Sequence, residues 1–280
     1  MIEIFYCDQM VANAQSFSPS AGKPREVVAS WRKRFPVLDY CEPAPATVEE
    51  LCLAHDRGYV RGVMGGIIAN GFGNRLPEVA AALPYTSGAM IAAARAAIQS
   101  GVAVAPVSGF HHACYESGGG YCTFNGLIIA AQVVHREGAK RVGILDFDMH
   151  YGNGTTDIIK QLDLNWIEHY SAAADWEEPE QAERFIAAIP NLMQRFADCE
   201  LLLYQAGADP HINDPLGGWL TTEQLRLRDR TVFERCRQMS LPIAWNLAGG
   251  YQNPLRRVLD IHDNTMLECI AAFGDFRSTP

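Results

Sequence analysis

The sequence predicts an α/β fold of three layers, in which a central, mostly parallel β-sheet is flanked by helices. Two observations carry this prediction. Short, continuously apolar runs recur along the chain, and segments with helical spacing lie between them. Strands covered on both faces read as continuous apolar runs, and alternating strands and helices are typical of parallel sheets. The predicted strands cover residues 2–6, 102–106, 142–145, 201–204 and 242–246.

Local signals place helices between these strands. Ser87 is predicted to cap a helix that ends at the glycine before the second predicted strand. Thr221 opens another helix, and Gln224 stands three residues later, which is the spacing of a capping box. Residues 179–189 are predicted to form a helix that Pro190 interrupts, because proline lacks the N–H that a helix interior requires. Such helices would cover the faces of the sheet.

The composition indicates a globular protein and argues against several partners. Of 280 residues, 48% are hydrophobic and 20% are charged, and no repeat or linker interrupts the chain, so one domain over residues 1–280 is predicted. A net charge of −9 disfavours nucleic acid as a partner, since phosphate binding calls for a basic face. The longest apolar runs are too short for a membrane span, which predicts no membrane association. Eight scattered cysteines without a CxxC pair favour reduced thiols and a cytoplasmic location.

One predicted strand runs into three ionisable residues spaced by two. In VGILDFDMHYGNG, Asp146, Asp148 and His150 point to the same side of an extended chain. Two carboxylates together at a strand end are costly unless a cation or hydrogen bonds neutralise them. A second apolar run, LLLYQAGA, leads to Asp209 in the same manner. Asp148, His150 and Asp209 would offer one nitrogen and two carboxylates, a set that zinc accepts while leaving a position open for water or substrate.

Two further segments carry residues suited to proton transfer and oxyanion binding. SGFHHACYESGGG places His111 and His112 after a strand and before a flexible glycine run. Histidine takes and returns protons near neutral pH, and partners such as Asp146 and Asn153 could set the two tautomers differently. In IAWNLAGGYQ, Tyr251 follows two glycines at a strand end. Its hydroxyl could donate to an oxyanion, although by itself this short motif fits a tyrosine packed in a turn better.

In this order, the motifs resemble those of the histone deacetylase family, which includes acetylpolyamine amidohydrolases and acetoin-utilisation-type bacterial proteins. The stretches that carry the resemblance are GFHHACYESGGGYCTFN, GILDFDMHYGNGT, QAGADPHINDPLGGW and NLAGGY. The resemblance implies an arginase-like α/β fold and a hydrolase that removes an acyl group from an amine. It also implies one Zn²⁺ per chain, with Asp148, His150 and Asp209 as the ligands.

The resemblance implies proton-transfer roles for four residues. His111 and His112 match the family's proton-handling pair. Asp146 matches the carboxylate behind the first histidine, and Asn153 stands where other members have Asp or Asn behind the second. One of the two rings, with His112 preferred, would act as the base toward the attacking water. Which ring returns the proton to the leaving amine is left open.

Three more residues match the substrate-facing part of the family site. Tyr251 matches the tyrosine that stabilises the transition state. Tyr121 stands where the family has an aromatic wall of the acyl-lysine tunnel, and Gly120 lies beside it. The resemblance therefore implies a narrow site that accepts an acyl chain.

Other segments depart from the family pattern. NWIEHYSAAADWEEPEQ is short and lacks the Pro-Gly-Thr-Gly loop, which leaves open whether a K⁺ site beside Asp146 is kept. Ala82 stands where protein deacetylases often place a substrate-gripping aspartate, and Glu78 is nearby but out of register. A small or flexible acylated amine, acetyl-lysine-like or acetylpolyamine-like, is therefore the predicted substrate. The oligomeric state does not follow from the sequence.

Three other interpretations of the same residues stay open. A non-catalytic protein on this fold would bind an acyl ligand without cleaving it. An arginase-like ureohydrolase would need a two-manganese cluster, but the sequence offers one evident metal site and no use for Tyr251 in that chemistry. Asp209 could also serve only to open a turn, as an Asp-Pro pair often does.

Overall fold

The sheet of this protein is entirely parallel in the computed structural model, which describes residues 2–274. Within that range seven strands pair in the order β2-β1-β3-β7-β6-β4-β5. The strands are β1 (Glu3–Phe5), β2 (Asp39–Cys41), β3 (Val102–Ala105), β4 (Val142–Asp146), β5 (Ile167–Ser171), β6 (Leu201–Gln205) and β7 (Ile243–Asn246). The predicted fold class is confirmed. Residues 1 and 275–280 of the predicted domain 1–280 lie outside the described residues. That the chain forms a single domain stays a prediction.

The sequence predicts five of these strands and misses the two at the edges of the sheet. Strands β3, β4, β6 and β7 are buried along their whole length, so they appear in the sequence as continuous apolar runs. Edge strands β2 and β5 retain partly exposed polar positions. Their short, mixed sequences, DYC and IEHYS, therefore carry no continuous apolar signal.

Helices pack on both faces of the sheet. They are α1 (Lys23–Arg34), α2 (Val48–Leu51), α3 (Arg57–Met64), α4 (Pro77–Ser100), α5 (Gly126–Arg136), α6 (Asn153–Gln161), α7 (Ala182–Leu192), α8 (Thr222–Met239) and α9 (Arg256–Phe273). Successive residues of β4 enter different hydrophobic clusters. Ile144 packs with residues of α4 and α5, and Leu145 packs with residues of α7, α8 and α9. The alternation shows that each face of the sheet has its own core, which gives three layers.

Two predicted helix boundaries are wrong, and both errors involve proline. Ser87 does not cap a helix, because α4 begins ten residues earlier at Pro77 and Ser87 is buried inside it with Pro84 also in the interior. Pro190 does not interrupt α7, which continues to Leu192. A single proline removes one helical hydrogen bond, and packing outweighs that loss, for α4 against the sheet and for α7 against α8. The predicted capping box of Thr221 and Gln224 is present.

All strands point the same way, so their carboxyl ends lie at one edge of the sheet. Asp146 at the end of β4 lies opposite Ser171 on β5 and Gln205 on β6. Of the predicted site residues, Asp146 ends β4, Asn153 begins α6, and the others lie in the loops that follow β3, β4, β6 and β7, as expected for ligand sites in open α/β sheets. Among the described residues, no helix combines the length and apolar character needed to cross a bilayer.

Candidate metal centre and active site

Three predicted metal ligands converge at this edge. The donor atoms of Asp148, His150 and Asp209 all lie within 4.8 Å of one another. His150 Nδ1 is 3.2 Å from Asp148 Oδ1 and 3.2 Å from Asp209 Oδ2. Both carboxylates are buried, whereas the histidine is partly exposed. The residues are thus arranged around one point that is open on the histidine side.

Backbone hydrogen bonds orient the two carboxylates. The amide of Gly249 donates to Asp148 Oδ2 at 2.8 Å, and the amide of Met149 donates to Asp209 Oδ1 at 3.2 Å. The amide of Asp148 in turn donates to Asp146 Oδ1 at 3.1 Å. Each carboxylate therefore has one oxygen tied to the backbone of a neighbouring loop, which limits its rotation.

Two glycines allow the loops to approach the carboxylates this closely. A side chain at Gly249 would collide with Asp209 Oδ2 and lie 2.8 Å from Asp148 Oδ2. A side chain at Gly207 would lie 2.7 Å from both Asp148 Cα and Asp209 Oδ1. The space that a Cβ would fill is therefore occupied by the ligand carboxylates themselves.

The residues present fit a divalent cation. Asp209 Oδ2 is buried and has no hydrogen-bond partner among the described residues, although it lies near His150. Burial and the neighbouring Asp148 carboxylate raise the pKa of Asp209 to about 7. Hydrogen bonds to Asp148 and Asp209 raise the pKa of His150 to about 11. Positive charge is thus favoured at this point, and one nitrogen with two carboxylates is a donor set that zinc accepts.

His111 lies directly behind this group. Its Nδ1 is 2.7 Å from Asp146 Oδ2, and its Nε2 is 3.6 Å from Asp148 Oδ1. Gln205 donates to the other oxygen of Asp146 at 3.0 Å. Burial opposes a charge on His111, but Asp146 and Asp148 outweigh it and raise the pKa of the imidazole to about 9.

His112 occupies a different environment although it is the next residue. Its Nδ1 is 2.6 Å from Asn153 Oδ1, and its ring centroid is 4.1 Å from that of His111. Burial and the adjacent His111 lower the pKa of His112. A side chain at Gly120 would collide with the His112 ring, so the glycine at this position makes room for it.

Aromatic rings line the approach to the histidines. The ring of Tyr121 lies 5.7 Å from that of Tyr251 and 5.8 Å from that of Phe72. Tyr121 has a left-handed backbone, and its amide donates to the Gly71 carbonyl at 3.0 Å. Burial, followed by Asp209 and Asp148, raises the pKa of Tyr251, so its phenol stays protonated and able to donate.

The structure thus brings the predicted site residues to one place, and their roles stay predictions.

The structure also places at the site two residues, Lys23 and Asp214, that the sequence analysis does not predict. Lys23 is fully buried, and its Nζ donates to the carbonyls of Ala248 (2.6 Å) and Gly249 (3.1 Å). Burial lowers the pKa of Lys23 to about 8. Asp214 accepts a hydrogen bond of 2.8 Å from the Tyr251 amide. A lysine at a helix start and an aspartate before proline are common surface features, so neither carries a usable signal.

The segments that depart from the family pattern lie around this centre. Ser171 Oγ, opposite Asp146, accepts a hydrogen bond of 3.1 Å from the Gly152 amide. Ala82 is buried in α4, so it presents no polar group to a substrate. Glu78 lines a groove of about 520 Å³ together with the segment that precedes α1. That groove also contains Arg25, so its charge by itself does not select a cationic substrate.

Comparison with known families matches most of the chain to one family model. The family model described as histone deacetylase domain matches residues 20–171 and 167–265. Histone deacetylase 2 of Arabidopsis thaliana is 27% identical over 78% of this chain and 65% of its own length. An uncharacterized protein of Picosynechococcus sp. is 29% identical over 75% of this chain and 76% of its own length.

A short segment of the chain is similar to acetylpolyamine amidohydrolases, and the whole fold is similar to that of a solved structure. Acetylpolyamine amidohydrolase 2 of Pseudomonas aeruginosa is 58% identical, but over only 17% of this chain and 14% of its own length. The crystal structure of the HDA15 HD domain superposes with a TM-score of 0.77 at 19% identity, covering 99% of this chain and 91% of that chain. At that identity the superposition shows the fold alone.

Proposed function

This chain belongs to the histone deacetylase family, and from that premise we propose that it is a zinc-dependent hydrolase that removes the acyl group from a small or flexible N-acyl amine. The observation that carries the proposal is the convergence of the buried carboxylates Asp148 and Asp209 with His150, with two differently partnered histidines beside them. An acetyl-lysine-like metabolite and an acetylated polyamine are both within the proposed class. A cytoplasmic location belongs to the same proposal.

Asp148, His150 and Asp209 would hold the zinc ion. The chemistry that a bound zinc ion supplies is Lewis acidity toward the acyl carbonyl and the attacking water. Tyr251, kept protonated by its surroundings, would donate a hydrogen bond to the oxygen that becomes negative. A K⁺ ion beside Asp146 would add positive charge behind His111, and it also stays a proposal.

His112 is suited to accept the proton of the attacking water. Asn153 Oδ1 accepts from Nδ1, which leaves Nε2 as the free acceptor of a neutral ring. The lowered pKa of His112 favours that neutral form near pH 7. His111 carries its proton more readily because of Asp146, so it is suited to hold positive charge beside the reaction and to return a proton to the amine.

The single metal-ligand cluster disfavours an arginase-like alternative. Among residues 2–274, one group of His, Cys, Asp or Glu side chains has the spacing of a metal site. A two-manganese cluster would need a second set of ligands beside it. A non-catalytic acyl binder would have no use for the His111–Asp146 and His112–Asn153 pairs, so turnover separates it from a hydrolase.

Turnover by zinc-loaded protein tests the proposal. Acetyl-lysine peptides, acetylated polyamines and longer acyl amines would be assayed with wild type, Tyr251→Phe and Tyr40→Phe. Loss of the Tyr251 hydroxyl is expected to lower kcat by about 10²–10³-fold, as for other oxyanion donors. Tyr40 on edge strand β2 is the matched control, since its buried hydroxyl has no hydrogen-bond partner within residues 2–274. Absence of turnover on every substrate, despite one bound zinc per chain, would contradict the proposal and favour a binding protein.

A further inference from the structure

Helix α8 carries one arginine that is hidden from solvent. Arg228 is fully buried, whereas Arg226 and Arg230 on the same helix are partly exposed and pair with Glu268. A buried guanidinium is costly unless it is paired and hydrogen-bonded. The groups that satisfy Arg228 therefore indicate why the sequence places it there.

The guanidinium bonds to the backbone of both ligand-bearing segments. Its Nη1 donates to the carbonyl of Phe147 at 3.1 Å and to the carbonyl of Gly207 at 2.8 Å. Phe147 immediately precedes Asp148, and Gly207 lies two residues before Asp209. A single side-chain nitrogen thus joins the segment that follows β4 to the segment that follows β6.

A second group of contacts holds the guanidinium in place. Its Nε donates to Asp229 Oδ1 at 2.8 Å, and the hydroxyls of Tyr204 (2.5 Å) and Thr265 (2.6 Å) donate to the same carboxylate. The pair is neutral overall and anchored to β6 and α9. A buried ion pair does not in general stabilise a fold more than apolar residues of the same size. Nη2 also lacks a partner among residues 2–274, so stability alone does not explain the arginine.

We propose that Arg228 is a positioning residue for the metal centre, which sets the separation of Asp148 and Asp209 by holding the carbonyls of Phe147 and Gly207. The inference rests on the proposed function, because it requires a metal at the triad. Residues that orient metal ligands from behind typically contribute about 10–100-fold to metal affinity. Arg228 acts on both carboxylate ligands at once, although it contacts neither of them.

Metal affinity, rather than activity, is the decisive measurement. Zn²⁺ would be titrated into the full-length protein in competition with a chelator, for wild type, Arg228→Lys, the double variant Arg228→Met/Asp229→Asn, and Arg230→Met. The double variant removes the cation together with its counter-charge, so that no unpaired charge stays buried. Arg228→Lys keeps the charge but loses the planar fork that reaches Asp229 and the carbonyls together. Arg230→Met removes a partly exposed guanidinium from the same helix.

Both Arg228 variants are expected to bind Zn²⁺ about 10–100-fold more weakly than wild type. Arg230→Met is expected to stay within about twofold, as for an exposed ion pair. Thermal unfolding in excess chelator, run in parallel, shows whether the metal-free fold is intact. A folded Arg228 variant that binds Zn²⁺ within about twofold of wild type would overturn the inference. If the double variant does not fold, the Zn²⁺ affinity of Arg228→Lys alone decides whether the inference holds. Wild type that binds no Zn²⁺ would instead overturn the proposed function.

Discussion

His111 and His112 are adjacent in the chain, and their rings nearly touch, yet they have opposite acid–base character. His111 is buried against the Asp146 carboxylate, and its pKa is raised to about 9. His112 is more exposed, bonds to the Asn153 amide, and has a lowered pKa. A divalent cation at the triad would lower both pKa values, but the difference between a carboxylate and an amide partner would persist.

The comparison shows how one residue type can serve two purposes in one site. The Asp146 carboxylate lets His111 keep a proton at neutral pH. Burial and the adjacent His111 favour the neutral form of His112, because the uncharged Asn153 amide opposes them less than a carboxylate would. A histidine must be neutral to accept a proton and protonated to give one. The surroundings of each ring, with its partner as the part that differs in charge, therefore decide the division of labour, and three substitutions test that conclusion.

The largest effect is expected from His112→Ala. If His112 is the base, kcat falls by about 10²–10⁴-fold, which is the usual contribution of a positioned proton acceptor. The metal content should not change, because His112 is not in the metal triad. Steady-state kinetics and metal analysis on the same sample check both statements. A fall of less than about tenfold would assign the base to another residue.

A smaller effect is expected from Asp146→Asn, which gives His111 an amide partner like that of His112. The pKa of His111 should fall, and kcat should fall by about 10–100-fold, as for other partners behind metal-site residues. Titration of the His111 ring by NMR checks the direction of the pKa change. The control is Asp157→Asn, an exposed carboxylate on α6 that accepts a hydrogen bond from the Tyr115 amide. Equal losses in the two variants would contradict a specific role for Asp146.

The smallest effect is expected from Asn153→Asp, which gives His112 a carboxylate partner like that of His111. The added negative charge raises the pKa of His112 by about one unit or more. His112 is then protonated over a wider range of pH, so kcat/KM is lost on the acidic side and kept above the new pKa. The acidic limb of the pH–rate profile should therefore move to higher pH. An unmoved limb would show that His112 does not titrate as the base.

The strands of the inner sheet are predictable from the sequence because burial on both faces imposes an apolar residue at nearly every position. Edge strands β2 and β5 meet no such requirement, and nothing local distinguishes DYC from a loop. Helix boundaries at Ser87 and Pro190 fail for a different reason. Local rules account for the hydrogen bond that a proline removes, but not for the packing of α4 against the sheet or of α7 against α8.

The candidate site divides in the same way. Asp146, Asp148 and His150 are predictable as a group because they lie within five residues of one another at the end of one strand, although the chain bends from Asp148 onward. Phe72 and Asp214 are not predictable, because each reaches the site from a loop whose path depends on the whole fold. Phe72 packs on Tyr121, and Asp214 holds the Tyr251 amide.

The sequence by itself determined which chemical groups stand at the strand ends, since strand and motif are contiguous in the chain. Only the tertiary structure decided what holds those groups in place. Lys23 bonds to a carbonyl 225 residues away, and Arg228 bonds to one 81 residues away. Contacts across such distances form only when several helices pack on the sheet together. No local pattern encodes them, because the sequence around a buried lysine or arginine does not differ from that around an exposed one.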